Sequence, residues 1–244
     1  MAVAPGAIAR AGRLKVKSVQ VTLLGPFAMS ADGRRVGPWY RPSAKRLCEL
    51  LMVSPARRLR KEAARELLFA HLNPGASANA LSRALSLARD ALAPLGDSGA
   101  NLLRADRANI WVAEEAALDI DLVSHERGLR SALGLGPGER RDALLQTVLR
   151  QDGVLLEDEP YADWAIRPRE VLDLLRQRAR LELARDRDRG YGRSEPAAVI
   201  EAWEDCLEHD PASEEAASSL VRIYLAEGSR QLASSAYERC RAAL

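Results

Sequence analysis

The chain has 244 residues, 47% hydrophobic and 29% charged, a balance that fits a soluble globular protein of two ordinary domains and excludes a disordered one. No apolar run approaches the roughly 20 residues of a membrane span, so a cytoplasmic protein is expected. The net charge of +2 hides a division: residues 1–112 hold 18 Lys and Arg against 7 Asp and Glu, the rest 18 against 27, so the first half favours a polyanionic partner.

Residues 1–18 read as a flexible basic tail, because the short apolar run precedes the basic residues, the reverse of a secretory signal. Residues 19–37 alternate apolar and polar positions around Asp32-Gly33, which predicts two or three short antiparallel strands. Pro42, with Ser43 as cap, opens a helix carrying Leu47, Cys48, Leu50 and Leu51 inward, and Pro55 closes it. RLRKEAARELLFAHL predicts a second helix with Ala64, Leu67 and Leu68 inward, and Arg57, Arg58, Arg60 and Lys61 form a basic cluster at its start. After Asn73-Pro74-Gly75, the spacing of Leu81, Leu85, Ala88 and Leu92 predicts a third helix over 76–92. Two short strands, Leu102 to Arg104 and Asn109 to Val112, then flank a polar turn at Ala105 to Ala108.

Three helices followed by a hairpin form the layout of a winged helix, whose third helix can enter a major groove while the hairpin lies along the backbone. The outer face of helix 76–92 suits that use. It offers Asn79, Ser82, Arg83, Ser86 and Arg89, with no acid before Asp90. Short polar groups permit close approach to base edges, and arginines reach guanine acceptors or phosphates. Asn79 either reads an adenine or caps the helix. Arg104 and Arg107 in the wing, with Arg57, Arg58, Arg60 and Lys61, are candidate phosphate contacts. The competing reading of each cluster is an ordinary solvated face.

The acidic half carries an internal repeat. EAWEDC at 201–206 recurs as SAYERC at 235–240, an offset of 34 residues, the tetratricopeptide period. Leu220, Tyr224, Gly228, Ala233, Tyr237 and Cys240 fall at that consensus spacing. Trp203 and Tyr237 are therefore expected as core knobs, with Cys206 and Cys240 as small packing residues. LLEDEPYADW at 155–164 carries four acids without calcium-loop spacing and is expected to dock Tyr161 and Trp164 on the helical array. His71, His125 and His209 read as surface or helix-end residues. Three widely spaced cysteines make neither a disulfide framework nor a metal knuckle. GLGPGER lacks the Gly-Lys-Ser/Thr of a phosphate loop, and no nucleophile elbow or HExxH motif occurs. No enzyme activity, cofactor or metal is expected.

With VTLLGPFAMSADGRRVG, RPSAKRLCELLMVSPARRLRKEAARELLF, NPGASANALSRALSLARDAL, LLRADRANIWV and DIDLVSHE ahead of the repeats, the chain resembles bacterial activators that pair an OmpR-type winged helix with a bacterial transcriptional activation domain. Actinobacterial antibiotic regulatory proteins and larger ATPase-linked activators share that architecture. The resemblance implies a mainly α fold with small β elements: a winged helix at 19–120, then an all-helical tetratricopeptide-like domain at 121–244 that arranges or restrains protomers. It implies binding of double-stranded promoter DNA at direct repeats through helix 76–92 and the wing at 101–112. It also implies possible homo-oligomers on DNA and RNA polymerase contact near Leu72 to Gly75. Two departures from DNA-binding relatives stand out: Leu87 and Asp90 where basic residues are usual, and Asn109-Ile110 in place of a wing Gly-Tyr pair. The alternative is a protein-interaction scaffold whose winged helix no longer binds DNA. The final helix reaches residue 244 without a glycine or asparagine stop, so a longer native chain is expected.

Overall fold

The computed structural model describes residues 18–96, 99 and 101–244. The expected basic tail, residues 1–18, lies outside them but for Ser18. Strands β1 (Val19–Thr22), β2 (Ala28–Ala31) and β3 (Arg34–Arg35) form an antiparallel meander, joined between β2 and β3 by Asp32 and Gly33 at φ 52° and 75°. Both φ values belong to the tight hairpin turn that Asp-Gly favours. Val19, Val21, Met29 and Ala31 point inward from alternate positions.

Helix α1 (Pro42–Val53) starts on Pro42 with Arg41 at the N-cap. The expected Ser43 cap is thus one position inside the helix, because the pre-set φ of proline suits the first helical position. Strand β4 (Arg58–Arg60) precedes α2 (Lys61–Phe69), and α3 (Pro74–Leu92) follows. Asn73, not Asn79, caps α3: its Oδ1 accepts from the Ala76 N–H at 2.9 Å. On α2, Ala64 is buried but Leu67 is 45% exposed, and Phe69 takes the inward place expected of it. The helix begins three residues later than the basic run suggests. Strands β5 (Leu103–Ala105) and β6 (Asn109–Val112) make the wing, and β4 pairs with β6 in a three-stranded sheet.

Strand β7 (Leu118–Ile120) runs parallel to β1, so the first sheet has the order β3-β2-β1-β7. Six helices follow: α4 (Asp121–Leu133), α5 (Glu139–Leu149), α6 (Asp163–Asp188), α7 (Pro196–His209), α8 (Glu214–Ala226) and α9 (Arg230–Ala243). The expected boundary at residue 120 falls at the β7–α4 junction, and packing continues across it. The Asp121 carboxylate accepts from the Leu23, Leu24 and Leu122 N–H groups at 2.8, 3.1 and 2.7 Å. Leu155, Leu156, Ala165 and Leu172 join the core of the winged helix.

The acidic segment 155–164 therefore docks on α1 and the first sheet instead of the helical array. Asp158 pairs with Lys45, and Glu159 pairs with Arg46 at 3.0 Å. Leu155 and Leu156 are buried, whereas Tyr161 is 96% exposed, contrary to expectation. Arg169 holds the turn by donating to the carbonyls of Leu155, Leu156, Glu159 and Pro160. His125 is also misplaced by the sequence pattern: it is buried in α4, where its Nε2 accepts from Arg176 Nε at 3.0 Å. Burial and the neighbouring guanidinium hold its pKa below the usual histidine value.

Helices α7, α8 and α9 share a second core with Trp203, Cys206, Leu220, Tyr224, Ala233 and Cys240. Trp203 is 1% exposed, but its repeat partner Tyr237 is 56% exposed. The same register gives opposite burial because Trp203 is packed into the α7–α9 core, whereas no further described helix covers Tyr237. Cys48, Cys206 and Cys240 are buried and free.

Candidate nucleic-acid interface

Helix α3 buries Leu81, Ala84, Leu85, Ala88 and Leu92 against α1 and α2 and leaves Asn79, Ser82, Arg83 and Ser86 exposed. This split follows from helical periodicity. Ser82 Oγ donates to the Ala78 carbonyl at 3.0 Å and keeps its lone pairs available. Among the described residues Arg83 makes no ion pair.

A cleft of about 530 Å³ runs between α2, α3 and the wing, lined by Lys61, Arg65, Ser82, Arg89, Asp106 and Arg107 among others. The cleft brings Ser82 of α3, Arg107 of the wing turn and Lys61 of α2 to one surface. Arg65 was missed by reading the sequence, although it lies one helical turn beyond Lys61. Two acids also line the cleft: Glu62, which lies 3.8 Å from Arg65, and Asp106. The Asp106 carboxylate accepts from the Ala108 and Asn109 N–H groups at 2.7 and 2.6 Å, which shapes the wing turn and lowers its pKa.

Three of the predicted cations have structural partners, and a fourth, Arg57, has a buried Nε without one among the described residues. Arg89 is partly buried and its Nε donates to the Leu103 carbonyl at 3.1 Å, tying α3 to the wing. Arg104 pairs with Glu115. Arg58 lies 4.8 Å from the Trp111 ring centroid, a cation–π contact, and 3.9 Å from Asp106. Arg57 occupies a 3-10 turn (Pro55–Arg57) at φ 51° with its Nε buried. The expected basic helix start is thus a turn and a strand, since β6 offers Arg58–Arg60 a ladder. Arg60, Lys61, Arg83 and Arg107 form no ion pair with any described residue.

Leu87 and Asp90 belong to a different surface. They line a cleft with Trp39, Tyr40, Arg41 and Pro94, and Leu87 packs against the first core. Hydrophobic packing at that end of α3 explains the departure at Leu87. Among the described residues no group of acids, histidines and cysteines could hold a metal ion, and no helix is long and apolar enough to cross a membrane.

No protein-family model matches the sequence, and no curated protein matches it. Among solved structures, Mycobacterium tuberculosis EmbR, determined in complex with a low-affinity phosphopeptide, is similar with a TM-score of 0.71 at 21% identity. The match covers 92% of this chain and 59% of that one, so the present chain spans a little over half the length of EmbR. Over most of its length the chain therefore shares the fold of EmbR, a winged helix followed by a helical domain.

Proposed function

We propose that the chain is a sequence-specific DNA-binding transcriptional regulator, an activator that meets double-stranded promoter DNA through α3 and the wing. The observation that carries this reading is one exposed surface joining Asn79, Ser82, Arg83 and Ser86 of α3 to Lys61 and the wing-tip Arg107. Short polar groups suit the groove floor, and flanking cations suit phosphates. The likeness in fold to EmbR supports the same reading. The role is non-catalytic and cytoplasmic. The tetratricopeptide-like helices arrange protomers on repeated sites, and the Leu72–Gly75 loop faces RNA polymerase.

The test is fluorescence anisotropy with promoter duplexes over a range of salt. Arg60, Lys61 and Arg107 as three phosphate contacts give a log-log salt slope of about −2.7. A folded protein that binds no duplex at low salt would overturn this reading in favour of the protein-docking scaffold.

A further inference from the structure

A third cleft, of about 560 Å³, opens between α5, α6 and α7, far from the surface assigned to DNA in the chain order. Leu149, Leu183 and Ala202 give it an apolar floor. Arg187, only 3% exposed, lines it. Its Nε donates to Asp142 Oδ1 at 2.8 Å and its Nη1 to the Ala198 carbonyl at 3.3 Å. Its Nη2 is shut off from solvent and has no acceptor among the described residues. A buried guanidinium N–H without an acceptor carries a desolvation cost that an anionic oxygen would remove.

Two further guanidiniums line the same cleft. Arg150 stands at the end of α5 and Arg193 in the α6–α7 connection, both exposed and neither in an ion pair with a described residue. The free guanidinium forks of Arg150 and Arg193, with the remaining Nη2 of Arg187, match the oxygens of a phosphate or carboxylate. The acids of the cleft come from α7. Glu204 is taken by Tyr224 and Arg239, and Asp205 by Arg180 and His209. Glu201 and Glu208 are exposed and form no ion pair with a described residue. Cations on one set of elements and carboxylates on another, left unpaired with each other, make a dipolar cavity of the size that holds a small molecule.

We propose that this cleft binds a small dipolar molecule, its phosphate or carboxylate held by Arg187, Arg150 and Arg193 and its ammonium end facing Glu201 and Glu208. Such a ligand satisfies Arg187 Nη2 and bridges three helices. The site stands independently of DNA binding, so its test does not depend on that reading.

Isothermal titration of the full chain would use three probes: inorganic phosphate, O-phosphoethanolamine and 4-aminobutyrate. One dipolar probe should bind at one site per chain and more tightly than inorganic phosphate. A preference for O-phosphoethanolamine assigns a phosphate head, and the reverse preference a carboxylate. The double variant Arg150→Gln/Arg193→Gln alters exposed side chains and should keep its melting temperature while binding about 10-fold more weakly. Glu201→Gln/Glu208→Gln should erase the advantage of the dipolar probe over phosphate. The proposal is overturned if every probe binds more weakly than about 1 mM, if the double arginine variant binds like the parent, or if neither dipolar probe exceeds phosphate.

Discussion

Arg83→Ala and Arg89→Ala alter two arginines six positions apart on one helix and should have separable effects. Arg83 is exposed on α3 and makes no ion pair with a described residue, so its loss should change stability by less than about 0.5 kcal/mol. If it grips a guanine, affinity for the preferred duplex should fall by about 1–3 kcal/mol, roughly 5- to 150-fold, and sequence preference should relax. Arg89 is different. Its Nε donates to the Leu103 carbonyl at 3.1 Å where α3 meets the wing, and losing a partly buried charged hydrogen bond costs about 1.5–3 kcal/mol of stability. Freeing the wing should weaken all DNA sequences alike. Urea unfolding and duplex anisotropy on the same preparations read both effects. A folded Arg83→Ala protein with unchanged affinity and preference would refute the reading face, and an unchanged urea midpoint for Arg89→Ala would refute the clamp.

The two positions of the 34-residue repeat should respond unequally: Trp203→Ala should cost about 3–5 kcal/mol, and the exposed Tyr237→Ala no more than about 1 kcal/mol, by calorimetry. Equal losses would contradict the packing described. Glu49 is buried on α1, and burial pushes its carboxyl up to about 7, against the opposing pull of Lys45. A folded pKa above the unfolded one means that its contribution is fully present below about 4.5 and is lost as pH rises through 7. Glu49→Gln should therefore gain up to roughly 3 kcal/mol over the parent between pH 5 and pH 8, and a pH-independent difference would exclude the mechanism. Asp121→Ala removes the acceptor of the Leu23 and Leu24 N–H groups and should cost about 2–4 kcal/mol in urea unfolding, whereas a loss below about 0.5 kcal/mol would show that β1 does not depend on it.

Much of the candidate site was legible because it rests on local periodicity. The inward set Leu81, Leu85, Ala88 and Leu92 leaves only one possible outer face, so the exposure of Ser82, Arg83 and Ser86 follows from the spacing alone. What each cation on or near that face does was not legible. Arg58 and Arg60 read as the start of a helix, yet β6, far along the chain, recruits them into a strand by pairing them with Trp111 and Asn109. Arg89 has the same local setting as Arg83, but the carbonyl of Leu103 reaches it. The buried pairing of His125 with Arg176 joins residues 51 positions apart and leaves no mark in the spacing of either.

The amino-acid sequence alone determined the strand meander, the three helices and the wing of the first half, the Asp32-Gly33 turn, the stripe of α3 that turns inward and the register of the repeat. Each depends on backbone preferences and side-chain spacing within a few residues. Only the tertiary structure decided that β7 lies beside β1, that the segment at 155–164 covers α1 instead of the helical array, and that Trp203 is buried while Tyr237 is exposed. It also decided which arginines are committed and which are left to bind. A guanidinium can reach any acceptor within a few ångströms, and which acceptor stands there is set by segments that meet only when the chain has folded.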